Sequence, residues 1–139
     1  MNIRDGKLYV DWCDIDAFSL DIAHEAKKLG IEKVVGVARG GLVPGVIISH
    51  TLNVPFESLA WQTRDGDTRD AEKAESLNSD KVLIVDDLID SGKTMMELEI
   101  LAPYAHKAVI FNKQIEIPID IVGHTLYDVK EWIVFPWEQ

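Results

Sequence analysis

Residues 82–96 read VLIVDDLIDSGKTMM, and the order of residue types in that run decides the fold. Val82, Leu83, Ile84 and Val85 follow one another without polar alternation. A strand of that kind needs apolar cover on both faces, the position of a central strand in a parallel sheet. Asp86, Asp87 and Asp90 come directly after it, and Ser91, Gly92, Lys93 and Thr94 then open a run with helical spacing over 93–104 through Met96, Leu98 and Leu101. The acidic half of this loop suits hydroxyl groups, a cationic centre or a metal ion. Its second half offers free backbone N–H groups, two hydroxyls and the positive end of a helix dipole, which together attract an anion. A molecule carrying a diol at one end and a phosphate at the other satisfies both halves.

The neighbouring segments extend the pattern. Residues 8–12 are a short apolar run that predicts a first strand or edge piece. Ile15, Phe18, Ile22, Ala26 and Leu29 recur every three or four residues, which predicts an amphipathic helix capped by Asp14 or Asp16 and ended before Gly30. Strands are expected at 33–38, 55–61, 107–112 and 119–122, with a last extended piece at 132–135, and a helix at 46–52 ended by Asn53 and Pro55. Strands alternating with helices predict an α/β domain spanning 1–139, with a mainly parallel sheet and right-handed crossovers. Ligands in such sheets bind at the carboxyl ends of the strands. Two loops there are rich in Gly, Asp and Arg: residues 39–45 and 86–94. Residues 62–81 hold ten charged residues and few large apolar ones, which predicts a flexible functional loop.

Composition removes several function classes. The formal net charge is −10 over 139 residues, a balance that repels polyanions and argues against nucleic acid or an acidic membrane as partner. No stretch approaches the roughly 20 apolar residues of a membrane span, and residues 1–9 lack the apolar core of a secretory signal. The lone cysteine, Cys13, suits a reducing cytoplasm and is expected to be buried beside Trp12. The four histidines are scattered, with no pair at ligand spacing. The GKT ending invites comparison with a nucleotide-hydrolase P-loop, but the position that must be Gly is Asp87, whose carboxylate would face the phosphates.

The run from Val82 to Thr94 resembles the phosphoribosyl pyrophosphate (PRPP) binding signature of type I phosphoribosyltransferases, position by position. The resemblance implies that family's fold: a mainly parallel five-stranded sheet flanked by helices, a small hood and a flexible loop. It also implies roles. Asp86 and Asp87 would hold the ribose hydroxyls, directly or through Mg²⁺. Asp90 would manage the purine proton. Asp90, Ser91, Gly92, Lys93 and Thr94 would wrap the 5′-phosphate. Residues 37–45, VARGGLVPG, look like the family's pyrophosphate loop, with Arg39 and Gly40 at the diphosphate and a cis peptide expected between Ala38 and Arg39.

Toward the C-terminus, Phe111-Asn112-Lys113 and Trp132-Ile133 look like the base-recognition elements of xanthine-guanine and hypoxanthine-guanine transferases. An ammonium at Lys113 only donates hydrogen bonds, so it favours a 6-oxo group over the amino group of adenine. Trp132 offers a stacking face, the Ile133 carbonyl would accept from a 2-amino group, and Glu138 would reach that edge or a magnesium ion. Trp137 is expected in the core. Where the purine enzymes have a Ser-Tyr pair on their hood, this chain has Trp61-Gln62, and Arg64 or Arg69 would meet the pyrophosphate on closure. The resemblance implies transfer of a phosphoribosyl group from PRPP to N9 of a 6-oxopurine, in a dimeric or tetrameric cytoplasmic enzyme. A PRPP-binding regulator of the same fold, a transferase for another base and an unrelated magnesium phosphohydrolase stay open as alternatives.

Overall fold

The computed structural model describes residues 1–62 and 68–139. Two short antiparallel strands, β1 (Asn2–Arg4) and β2 (Lys7–Tyr9), precede helix α1 (Trp12–Lys28). The strand expected at 8–12 is thus shorter, and the helix starts earlier, because Asp11 rather than Asp14 or Asp16 is its cap. Asp11 accepts from the Asp14 N–H at 2.9 Å, and Asp14 accepts from the Asp11 N–H at 3.1 Å, a reciprocal capping box. Ile15, Ile22, Ala23 and Ala26 are buried along one face, and Gly30 takes the left-handed turn after the helix at φ 70°. Cys13 is exposed in the first turn, against the burial expected of it, because the apolar stripe of α1 falls on Ile15 and its successors instead.

The chain then runs through β3 (Lys33–Ala38), α2 (Leu42–Leu52), β4 (Phe56–Ala60), α3 (Ala71–Ser76), β5 (Val82–Ile89), α4 (Lys93–Leu101), β6 (His106–Asn112), β7 (Ile121–Thr125), β8 (Trp132–Val134) and a 3₁₀ turn at Pro136–Glu138. Five strands form a wholly parallel sheet in the order β4-β3-β5-β6-β7. A second sheet, β1-β2-β8, stands apart from it, where a small hood is expected.

Burial follows the pleat. Val34, Leu83, Val85, Ala108 and Ile110 pack on one face with Ile15, Ile22, Ala26 and Ile48 of α1 and α2. Val35, Ile84 and Val109 face the other way, into Ala74, Leu77, Met95 and Leu98 from α3, its flank and α4. Alternate strand residues supply both cores, so the unbroken apolar run in β5 reads correctly as two-sided burial.

Residues 62–81, expected to be a loop throughout, contain α3. Asp70 caps it by accepting from the Lys73 N–H at 3.1 Å, and Ala74 and Leu77 are its buried apolar contacts. Two small contacts leave a composition that looks like a loop. Residues 63–67, Arg64 among them, lie outside the described residues.

Candidate functional site

The order of the five-stranded sheet fixes where a site can form. From β3 the chain crosses to β4 on one side. From β5 it proceeds to β6 and β7 on the other. That reversal opens a crevice at the carboxyl ends of β3 and β5. Pairing between those two strands stops at Gly36 and Val85, while β5 continues beside β6 to Ile89 and Asn112. Asp86 and Asp87 therefore lie within the last half of β5, and the loop after β3 fills the gap its departure leaves.

That loop holds its position by having no side chains where backbone must pass. The Ala38–Arg39 peptide is cis. A side chain at Gly40 would land on the Asp87 carboxylate, and one at Gly41 on the Val85 carbonyl. Glycine at both positions lets main-chain amides approach the carboxylates directly. Arg39 is exposed at the mouth.

Asp86 and Asp87 are half-buried, and the Asp87 N–H donates to the Asp86 carboxylate at 2.8 Å. Burial, reinforced by the charge of Asp87, holds the Asp86 carboxyl well above the usual range. Burial also raises Asp87, with the charge of Glu138 adding to it. Two carboxyls taken from water at one point resist ionising together. They share a need for a proton or a cation.

Beyond them Asp90 and Ser91 are exposed, and Gly92 adopts φ 87° as the residue before α4. No side chain of the N-cap residue caps α4, and its first turn lines a cleft of about 120 Å³ together with the loop before it, Leu88 through Met95, Lys93 and Thr94 included. The Lys93 N–H is turned to Ser91 Oγ at 3.3 Å. Helix-terminal amides without a side-chain partner form an anion site.

A second cavity, of about 280 Å³, is lined by Asp87, Leu88, Asp90, Lys113, Trp132, Ile133, Phe135 and Glu138. Lys113 is half-buried and donates from Nζ to the Glu131 carbonyl at 3.1 Å. Trp132 is 54% exposed whereas Ile133 is buried. A third, of about 740 Å³, is lined by Ala38, Arg39, Gly40, Trp61, Gln62, Asp87, Trp137 and Glu138. Of the residues singled out for the site, all line one of these three cavities except Asp86, which adjoins them through the Asp87 N–H, and the two arginines of the polar segment. Arg64 lies outside the described residues, and Arg69 is tied to Glu97 at 3.0 Å, on α4.

Glu138 is exposed, and its Oε1 accepts from the Phe135 N–H at 2.9 Å. Among the described residues no three acidic, His or Cys side chains gather closely enough to form a metal cage, so Glu138 does not complete one with Asp86 and Asp87. A site of two carboxylates suits Mg²⁺ all the same, because that ion takes its other oxygens from water and substrate phosphates. The raised carboxyls give a physical reason for a cation there.

Trp61 and Gln62, which stand where the resemblance has its hood pair, follow β4 and line the cavity that holds Arg39 and Gly40. One further lining residue was given another place by the sequence. Trp137, expected as core, packs against it by stacking on Phe135 at 4.8 Å and also lines the cavity of about 740 Å³.

The profile of the phosphoribosyl transferase domain family matches residues 14–137. A curated relative from Cereibacter sphaeroides, named xanthine-guanine phosphoribosyltransferase, is 37% identical over 143 residues, covering 94% of this chain and 86% of its own length. One of the same name from Desulfotalea psychrophila is 30% identical, over 76% of this chain and 69% of its own length. Among solved structures, a purine phosphoribosyltransferase from Pyrococcus horikoshii superposes with a TM-score of 0.72 at 30% identity, covering 96% and 95% of the two chains.

Proposed function

The chain belongs to the phosphoribosyl transferase domain family, and from that premise we propose that it transfers the 5-phosphoribosyl group of PRPP to N9 of a 6-oxopurine, releasing pyrophosphate. The observation that carries this reading is the meeting of three cavities on the Asp87–Asp90 stretch. A phosphate-sized cleft, a cleft walled by Lys113 and Trp132, and a larger one holding Arg39 and Gly40 all touch it. The two substrates have the same layout: 5′-phosphate, base and diphosphate around one ribose.

In this reading the amides of Ser91, Gly92, Lys93 and Thr94 hold the 5′-phosphate. Asp86 and Asp87 hold the ribose hydroxyls. Arg39 and the main chain at Gly40 hold the diphosphate, whose charge grows as the bond to the anomeric carbon breaks. Fixed donors aimed at that developing charge are the largest expected contribution to rate. Lys113, with donors to spare beyond its bond to Glu131, reaches the 6-oxo group. Trp132 stacks on the ring, and the Ile133 carbonyl accepts from a 2-amino group. Asp90, exposed beside the base cleft, takes up or returns the purine proton as N9 displaces the diphosphate with inversion. Mg²⁺ held by Asp86 and Asp87, with Glu138 touching its water, would neutralise the diphosphate when bound.

The same reading puts the enzyme in the cytoplasm as a homo-oligomer, a dimer or tetramer. A single free cysteine supports the first, and large exposed apolar side chains such as Ile100, at 79%, support the second. Among the described residues no helix is long and apolar enough to cross a membrane.

The deciding experiment supplies PRPP and Mg²⁺ with guanine, xanthine, hypoxanthine or adenine in turn and assays for nucleotide and pyrophosphate. Nucleotide is expected from one or more of the 6-oxopurines and far less from adenine. No nucleotide from any 6-oxopurine would overturn the reading.

A further inference from the structure

The turn after β6 carries Lys113, but its contacts reach further. At the strand end, buried Asn112 accepts the Gln114 N–H on Oδ1 at 2.8 Å, and its carbonyl accepts the Leu126 N–H at 3.0 Å. The turn next grips the anion loop at successive points. The Lys113 N–H donates to the Ile89 carbonyl at 3.0 Å. Gln114 Nε2 donates to the Asp90 carbonyl at 2.8 Å. The Ile117 side chain fills the space beside Gly92 where a Cβ would stand, and the Ile117 N–H closes the turn onto the Gln114 carbonyl at 3.0 Å. On the other side, Lys113 Nζ holds the Glu131 carbonyl, one residue before Trp132. One short segment therefore touches both the wall of the base cleft and the loop that opens α4.

We propose that Gln114 is a positioning residue that couples the base cleft to the anion loop, by fixing the Asp90 main chain in the conformation both ligands need. This rests on the reading of the site as one for PRPP and a purine. Asp90 is exposed, and its carbonyl is held from outside the loop by the Gln114 amide. Holding that carbonyl orients the 90–91 peptide plane, which sets both the direction of the Asp90 side chain and that of the Ser91 N–H. A base seated on Lys113 steadies the turn, and a phosphate seated on the loop steadies it from the other end. Each ligand then prepares the other's site, and the effect is reciprocal by thermodynamic necessity. The residue type suits the task. An amide donates without bringing charge to a place where a carboxylate and an anion already lie. Glu at the same length would offer an oxygen to an oxygen, and Met would offer nothing.

The test measures the dissociation constant of PRPP with Mg²⁺ by calorimetry, with and without saturating 9-deaza-6-oxopurine, whose carbon at position 9 blocks turnover. Steady-state turnover with the natural base accompanies it. Wild type is expected to bind PRPP about fivefold or more tighter with the base analogue present. In Gln114→Met that ratio should fall to near one, with kcat lower by about three- to tenfold, the effect of one neutral hydrogen bond. Each ligand alone should still bind, and the melting temperature should hold within about 3 °C. Gln114→Glu, equally long and also without the donor, should behave alike and serves if the Met variant folds poorly. Wild-type coupling retained in either folded variant, or no coupling in wild type, overturns the inference. Absence of nucleotide formation by wild type with every 6-oxopurine overturns the substrate reading instead, so the two failures are told apart.

Discussion

From Leu83 to Val85, β5 has a neighbour on each side, β3 and β6, and each of its side chains is apolar and buried. From Asp86 to Ile89 the same strand keeps β6 alone and carries two half-buried carboxyls. The first half places groups that prefer burial where burial is complete. The second places groups that resist it beside a gap in the sheet, with glycine backbone packed against them. One continuous strand therefore joins a buried apolar part of the fold to a part that opposes folding. Rigidity of the first half is what keeps the second in place.

Asp90→Asn should separate the two halves most sharply. The loss expected is about 10²–10⁴-fold in kcat for a group that moves a proton, with no change in melting temperature, since Asp90 is exposed and its side chain supports no other element. Turnover at saturating PRPP and purine, beside a thermal melt, checks both parts. Wild-type turnover would remove Asp90 from the chemistry.

Ile84→Ala is the converse. Ile84 is fully buried against the α3–α4 face, and truncating it should cost about 2–5 kcal/mol of stability. Denaturant unfolding measures this. Activity per folded molecule at low temperature should stay close to wild type, and a collapse there would mean the halves of β5 are not separable.

Magnesium sharpens the picture of the acidic half. At ten times its dissociation constant the ion should stabilise wild type by about 1.4 kcal/mol, read as a rise in melting temperature. Asp86→Asn and Asp87→Asn should lose that rise. An equal rise in both variants would place the ion elsewhere.

The smallest effect concerns pH. Burial raises the Asp86 and Asp87 carboxyls above their unfolded values. A raised carboxyl favours the folded state while protonated, and that advantage is lost as pH climbs through the folded-state value. Metal-free wild type should therefore lose stability as pH rises from about 4 toward neutrality at this locus. Asp86→Asn should flatten the slope and gain about 0.5–2 kcal/mol at neutral pH, while losing activity. Melting curves across pH in the presence of a chelator decide it, and a steeper slope in the variant would refute the account.

Both halves of β5, and the loop after β3, were legible in the sequence because each is contiguous. An apolar run, an acidic pair and a glycine turn signal themselves within a dozen residues. The start of α1 was misjudged because three aspartates compete near it, and only the reciprocal bonds of Asp11 and Asp14 choose between them. Helix α3 was hidden because Ala74 and Leu77 are too sparse a stripe for periodicity to reveal. Gln114 could not be singled out at all. Its partner Asp90 is distant in sequence, and a glutamine after a strand carries no signal until the fold brings the two loops side by side. Trp137 shows a different limit, since one ring can both pack on Phe135 and face the cavity.

The parallel pairing of β2 with β8, Leu8 against Ile133, has a consequence for how the site is assembled. The ladders of the five-stranded sheet close at Thr125, so the carboxylates and the anion loop take their places within one sheet. The wall of the base cleft depends instead on Trp132–Val134 finding a strand far back in the sequence. Unzipping that one pairing would leave the phosphate end of the site without the means to choose a base.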